Sequence, residues 1–229
     1  MINQVKVIIG AMDEEVCALV ARMAMVVKGI VDGVEIHQGQ LGGKNIVVAK
    51  SGIGKANAAY TAAILLKEFK PTEVINIGSA GGTKVGQTIG DVVVANKLQY
   101  HDFDIGPNTI TDSRFIFENG HSDLSGIEAV LKSLNTPYHL GLIVSGDQFV
   151  TKDSDAFKRI QEKFTNAIAV DMEATAIACA CERNQTPWIV LRSLSDVTHN
   201  EGNDMDFETY LAKASANSAL IAEEYLKLA

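Results

Sequence analysis

Three shortages in this 229-residue chain each close off a class of function. Base is scarce relative to acid: 20 Lys and Arg stand against 28 Asp and Glu, a formal net charge of −8. A protein that neutralises phosphate backbones is expected to look basic, so nucleic acid is not an expected partner. Cysteine is limited to Cys17, Cys179 and Cys181, an odd count without CxxC spacing. That argues against a disulfide framework and against a zinc knuckle, and three free thiols suit a reducing cytoplasm. No run approaches the roughly 18–20 apolar residues that span a bilayer. The opening MINQVKVIIGAM is too short in apolar residues for a secretory signal and reads as a strand. The expectation is a soluble, cytoplasmic protein with no membrane partner.

Several signatures are also missing. There is no GxGxxG and no GxxxxGK[ST], so dinucleotide and P-loop readings lack their glycine pattern. The histidines, His37, His101, His121, His139 and His199, show neither HxH nor HExxH spacing, and no metal site is expected.

What is present is core-forming material: 47% of residues are hydrophobic and 21% charged. Apolar runs alternate with helical patterns along the whole length. VKVIIG (5–10) precedes a helical EEVCALVARMAMVV, and VEIHQGQLGGKNIVVAKS reads as a hairpin turning at Gly42 and Gly43. ANAAYTAAILLKEF is a helix stopped by Pro71. EVINIGSAGG and DVVVANKLQYHDFD are strands, and residues 105–122 look like a surface loop. Helices over about 123–134, 153–163, 173–183 and 206–228 then alternate with strands HLGLIVSGD, AIAVDM and WIVLRSLSD. With no repeat, linker or low-complexity segment, the pattern predicts one α/β domain over 1–229. Its centre is a twisted mixed β-sheet flanked by helices.

In open α/β sheets ligands bind beyond the carboxyl ends of the strands. Those ends here are IIGAMDEE, INIGSAGG, IVSGDQF, AVDMEAT and RSLSDVT, and four of the five carry carboxylates. On a helical wheel Met12, Val16, Leu19, Val20 and Met23 form an apolar stripe. Glu14 lies opposite it, while Asp13 and Glu15 flank it and periodicity cannot choose between them. The glycine-rich turn at Gly78–Gly82 exposes N–H groups and the Ser79 hydroxyl to an anion or a sugar, or is simply a tight turn. SGIGK (51–55) is a weaker version of the same feature. Asp171 and Glu173 share one face of an extended segment with Met172 pointing away. They are either helix-start acids favoured by the macrodipole or acceptors for vicinal hydroxyls. Ser195–Asp196 closes a strand, either as an N-cap or as a general acid whose pKa is raised by burial.

IIGAMDEEV, SGIGKANAA, NIGSAGG, GLIVSGDQF, AVDMEATAIA and VLRSLSDV occur in the order found in bacterial 5′-methylthioadenosine/S-adenosylhomocysteine nucleosidases, members of the nucleoside phosphorylase superfamily. The chain resembles that family over essentially its whole length. The resemblance implies a homodimer and hydrolysis of the N-glycosidic bond of methylthioadenosine and S-adenosylhomocysteine, with 5′-deoxyadenosine a further substrate. It implies no metal or redox cofactor. By position, Glu15 resembles the base that activates water, Asp196 the acid that protonates adenine N7, and Glu173 the clamp on the ribose hydroxyls. Met172 is implied against the sugar, Phe149 stacked on the purine and the Val150 backbone at its edge. Ser79 and Ser195 match polar site positions, Ser195 orienting Asp196, while Met12, Ile53 and Phe207 match substrate-lining positions. Two departures stand out. Asp171 replaces the family's usual Glu, and residues 105–122 lack the aromatic-containing loop that covers the 5′ group across the dimer.

Two other functions compete with hydrolysis. A phosphorylase on the same fold needs to hold phosphate dianion, normally with arginine. The first strand end offers three acids and no neighbouring arginine, and of the five arginines only Arg192 lies near a strand end. A non-catalytic nucleoside-binding protein would have no need of Glu15, Glu173 and Asp196 together.

Overall fold

The computed structural model describes residues 5–106, 109–119, 124–199 and 203–228, with the side chains at 203–206 and 208 outside the description. Strand β1 (Lys6–Gly10) forms because the run after Lys6 is apolar: Val7, Ile8 and Ile9 are fully buried between two parallel neighbours. Helix α1 (Asp13–Val20) follows, then β2 (Ala24–Val31), β3 (Val34–Leu41) and β4 (Lys44–Lys50). Next come α2 (Lys55–Phe69), β5 (Glu73–Gly82), β6 (Val92–Tyr100) and β7 (Ile116–Glu118). The remainder is α3 (Ser125–Ser133), β8 (Tyr138–Ser145), α4 (Asp155–Lys163), β9 (Ala167–Asp171), α5 (Ala174–Arg183), β10 (Trp188–Val197) and α6 (Asn203–Leu228).

The strands make one mixed sheet in the order β10-β6-β8-β9-β5-β1-β4-β3-β2, with β7 on β6 and a further pairing of β10 with β5. That last pairing closes β5, β10, β6, β8 and β9 into a ring. Strand β5 makes this possible by changing neighbours: Val74, Ile75 and Asn76 lie between β1 and β10, whereas Gly81 and Gly82 lie between β9 and β10. Helices α2 and α5 cover one side of the sheet through Ala58, Ala62, Leu65, Ile177 and Cys181. Helices α1, α3 and α6 cover the other through Leu19, Leu131, Ile221 and Leu226. Each fully buried Leu or Ile contributes about 1.5–3 kcal/mol. Among the described residues no helix is long and apolar enough to cross a membrane.

Three sequence expectations need correction. The first helix ends at Val20 rather than running through MAMVV, because residues 24–31 pair antiparallel with β3. Asp32 and Gly33, both at positive φ (46° and 82°), form the two-residue turn of that hairpin. Met23 therefore lies beyond the helical stripe to which periodicity assigned it. Residues 105–122 are more than a surface loop. Thr109–Thr111 and Ser113–Phe115 form 3-10 turns, and β7 adds to β6, where Phe117 meets the Tyr100 ring edge-on at 6.3 Å. Positions 107, 108 and 120–122 of that stretch lie outside the described residues. Finally, the strand does not close at Ser195–Asp196: both lie inside β10, which runs on to Val197.

Candidate active site

A cavity of about 330 Å³ opens where β1, β5, β9 and β10 end, and all eleven residues singled out from the sequence line it. Met12 and Glu15 come from the β1–α1 junction and Ile53 from the segment before α2. Ser79 comes from β5, and Phe149 and Val150 from the segment after β8. Met172 and Glu173 follow β9, Ser195 and Asp196 lie in β10, and Phe207 is on α6. The strand leaves extended geometry at Asp171, so Met172 also faces the cavity instead of pointing away from it.

The three consecutive acids separate cleanly. Asp13 is exposed and pairs with Lys50 at 2.7 Å, and Glu14 is exposed. Glu15 is only 1% exposed. As the third residue of α1 it reaches back to the chain entering the helix, accepting the N–H groups of Ala11 (2.6 Å) and Met12 (3.2 Å) on Oε2. Its Oε1 accepts the N–H of Ser79 at 3.0 Å and its hydroxyl at 3.3 Å. Gly78 makes this approach possible. Its φ is +148°, and a Cβ there would lie 2.5 Å from both Glu15 Oε1 and Arg192 Nη1.

Asp196 reaches the cavity through an irregularity in β10. The pairing with β5 runs Leu194–Ala80 and then Asp196–Gly81, so Ser195 is the extra residue of a bulge that re-aims its neighbour. The Ser195 hydroxyl donates to Asp196 Oδ1 at 3.0 Å, and both residues are buried.

Two further charged residues line this cavity: Asp171, whose Oδ2 accepts the Ala174 N–H at the start of α5 as a helix-start acid would, and Arg192, which was given no role from the sequence. Arg192 Nη2 lies 2.6 Å from Asp171 Oδ2 and 3.3 Å from Glu173 Oε2, and donates to Asn76 Oδ1 at 2.8 Å. Its Nη1 donates to the Ser79 carbonyl at 3.2 Å. The expectation that no arginine stands near the first strand end is thus overturned: Arg192 arrives from β10, 177 positions after Glu15, and lies beside it. The signal available was a lone arginine in an otherwise apolar buried strand, since burying a guanidinium requires carboxylate partners.

Those partners already claim its charge. Asp171, Glu173 and Glu15 surround one guanidinium, so a further anion would meet more negative than positive charge. Glu173 registers the imbalance. Burial pushes its pKa up to about 7, with Arg192 opposing and Asp171 and Glu15 reinforcing the rise. Its Oε1 also accepts the Gly54 N–H at 2.9 Å. At the mouth, the Phe149 ring meets Phe207 edge-on at 5.4 Å and is 45% exposed, leaving a face for a flat ligand.

The chain is similar to known proteins over nearly its whole length. The family model for the phosphorylase superfamily matches residues 6–227. A 5′-methylthioadenosine/S-adenosylhomocysteine nucleosidase of Psychromonas ingrahamii is 37% identical over 96% of both chains. One from Staphylococcus haemolyticus is 35% identical over 96% of this chain and 98% of its own. The crystal structure of the Neisseria meningitidis nucleosidase, in complex with methylthio-immucillin-A, superposes with a TM-score of 0.92 at 34% identity. That match covers 99% of this chain and 100% of the other. The chain belongs to the 5′-methylthioadenosine/S-adenosylhomocysteine nucleosidase family of the phosphorylase superfamily.

Proposed function

We propose that the chain hydrolyses the N-glycosidic bond of 5′-methylthioadenosine and S-adenosylhomocysteine, releasing adenine and the 5-thio-substituted ribose, and accepts 5′-deoxyadenosine. The observation that carries this reading is the placement of two buried carboxylates, Glu15 and Asp196, in one cavity beside neighbouring points of β5. Ser79 binds Glu15 and Gly81 abuts Asp196.

The chemistry follows from charge. Adenine leaves poorly as an anion, and a proton delivered to N7 by Asp196 removes that charge. As the bond breaks the sugar gains oxocarbenium character, which the surrounding carboxylates favour. Glu15 takes the proton of the attacking water. Of its four bonds the Ser79 hydroxyl contact is the longest, and a hydroxyl rotates, so this is the bond that water displaces. Glu173 accepts from the ribose hydroxyls, Met172 packs on the sugar, and Met12, Ile53 and Phe207 face the 5′ substituent. Phe149 stacks on adenine and the Val150 backbone reads its edge. The crowding of carboxylates around Arg192 favours water over phosphate as nucleophile.

The same reading includes a homodimer in a reducing, cytoplasmic setting, in keeping with three free cysteines and with half-exposed Ile53 and Phe149 at the cavity mouth. Light scattering after size exclusion tests the dimer. The activity is tested by adenine release from the three nucleosides in phosphate-free buffer. Turnover of each is expected; binding of all three without adenine release would instead identify a nucleoside-binding protein.

A further inference from the structure

Asp102 lies outside the cavity, two residues past the end of β6, yet it joins the two segments that form one side of it. Both of its carboxylate oxygens lie 2.6 Å from Lys55 Nζ, and Oδ2 also accepts the Asp147 N–H at 2.9 Å. Asp147 closes the ring: its Oδ1 accepts the Lys55 N–H at 2.7 Å, and its Oδ2 lies 3.7 Å from Lys55 Nζ. Lys55 is the first residue of α2, directly after Ile53 and Gly54. Asp147 directly precedes Gln148, Phe149 and Val150.

We propose that Asp102 is a positioning residue, which by gripping Lys55 and Asp147 together sets the Gly54 N–H against Glu173 and holds Phe149 and Val150 at the purine position. The assignment rests on the reading of the cavity as an adenine-nucleoside site. Asp102 itself is fixed by the sheet. The neighbouring His101 donates its N–H to the Ser145 carbonyl at 3.0 Å, and Gly146 donates to the Asp171 carbonyl at 3.1 Å. The two segments it joins have no regular secondary structure where they face the cavity. Gly54 has φ +95°, and a Cβ there would stand 3.1 Å from Asp147 Oδ1, so glycine admits the Asp147 carboxylate to the start of α2. The Asn57 side chain adds a donor to the Ile53 carbonyl at 2.7 Å.

An isolated exposed ion pair contributes little. Here the Asp102 and Lys55 side chains are only 16% and 23% exposed, and two backbone N–H groups complete the ring. Such a ring fixes geometry more than it adds stability. Burial opposes the ionisation of Asp102, but Lys55 and the Asp147 N–H outweigh it and hold its pKa below the ordinary carboxylate range. The ring therefore persists across neutral pH.

The test uses D102N and K55M in the full-length protein, with adenine as the binding probe in calorimetry and methylthioadenosine as substrate. Adenine affinity is expected to fall about tenfold in each, as for loss of a charged hydrogen bond. KM should rise by a similar factor, kcat should fall less, and the double variant should be no worse than either single one. K55R should recover most of the affinity, which restoring bulk stability alone would not do. Adenine affinity and KM within about twofold of the wild type in both variants would overturn the proposal. E15Q and D196N run alongside separate this outcome from failure of the activity assignment. If they still turn over, the roles of Glu15 and Asp196 are wrong, while adenine binding still reports on Asp102. If D102N does not fold, D147A, altered at a half-exposed side chain, breaks the same ring and is expected to weaken adenine binding likewise.

Discussion

Arg192 Nη2 and Asp171 Oδ2 lie 2.6 Å apart with both side chains 1% exposed, and this buried pair organises the polar floor of the cavity. Asp171 is anchored in turn by the Ser145 hydroxyl on Oδ1 and by the Ala174 N–H on Oδ2 at 3.0 Å. Removing one partner leaves the other charge buried and uncompensated, which typically costs about 3–5 kcal/mol. Urea denaturation of R192M is expected to show a loss of that order. A midpoint equal to the wild type would mean that the pair contributes nothing to the fold.

The three acids at the start of α1 should behave differently. E15Q is expected to lower kcat by about 10²–10⁴-fold, the usual range for a general base, with a smaller change in KM. D196N should do the same as a general acid. D13N and E14Q, altered at exposed positions, should stay close to the wild type. Steady-state adenine release distinguishes these outcomes, and strong loss in D13N with full activity in E15Q would reverse the assignment.

Glu173 makes the protein sensitive to pH near neutrality. Its pKa rises on folding from an ordinary 4.5 to about 7, so over that interval the folded chain holds a proton that the unfolded chain has released. Stability contributed by this group therefore falls as pH rises through the window and is lost above it. E173Q should flatten that dependence in melting temperatures measured from acid to neutral pH. Catalysis carries the opposite sign. An ionised Glu173 is the better acceptor for ribose hydroxyls, so kcat/KM for methylthioadenosine should decline as pH falls below about 7. Unchanged kcat/KM from pH 7 down to pH 5 would contradict the role.

Gly78 is the position where backbone and site are most tightly bound together. G78A would place a methyl 2.5 Å from Arg192 Nη1 and Glu15 Oε1, at a φ of +148° that L-residues rarely adopt. The variant is expected to lose about 1–3 kcal/mol of stability and, by displacing Glu15, most of its kcat. Denaturation together with adenine release checks both effects, and full activity in G78A would show that Glu15 tolerates displacement.

The line of the chain carried some of this information and hid the rest for identifiable reasons. Buried runs such as Val7–Ile9 and Trp188–Leu191 are apolar on both faces, so their strands and the acids at their ends were visible directly. The β2–β3 hairpin was hidden because Val20, Met23 and Val27 continue a helical spacing. The Asp32–Gly33 pair between two β-branched runs was the overlooked signal. Strand β7 was masked by the Gly, Pro, Asn and Thr that precede Phe115–Ile116–Phe117. The Arg192 cluster was the least legible part. Asn76, Asp171, Glu173 and Arg192 are brought together only because β5, β9 and β10 close a ring. The bulge at Ser195 that aims Asp196 depends on the same closure.

The central claim is that water, not phosphate, receives the sugar. Its most direct test is the identity of the sugar formed when methylthioadenosine is turned over in phosphate buffer, followed by phosphorus NMR and mass spectrometry. The account predicts free 5-methylthioribose, equimolar with adenine, and no sugar phosphate. Accumulation of 5-methylthioribose 1-phosphate, with adenine release abolished when phosphate is removed, would contradict it.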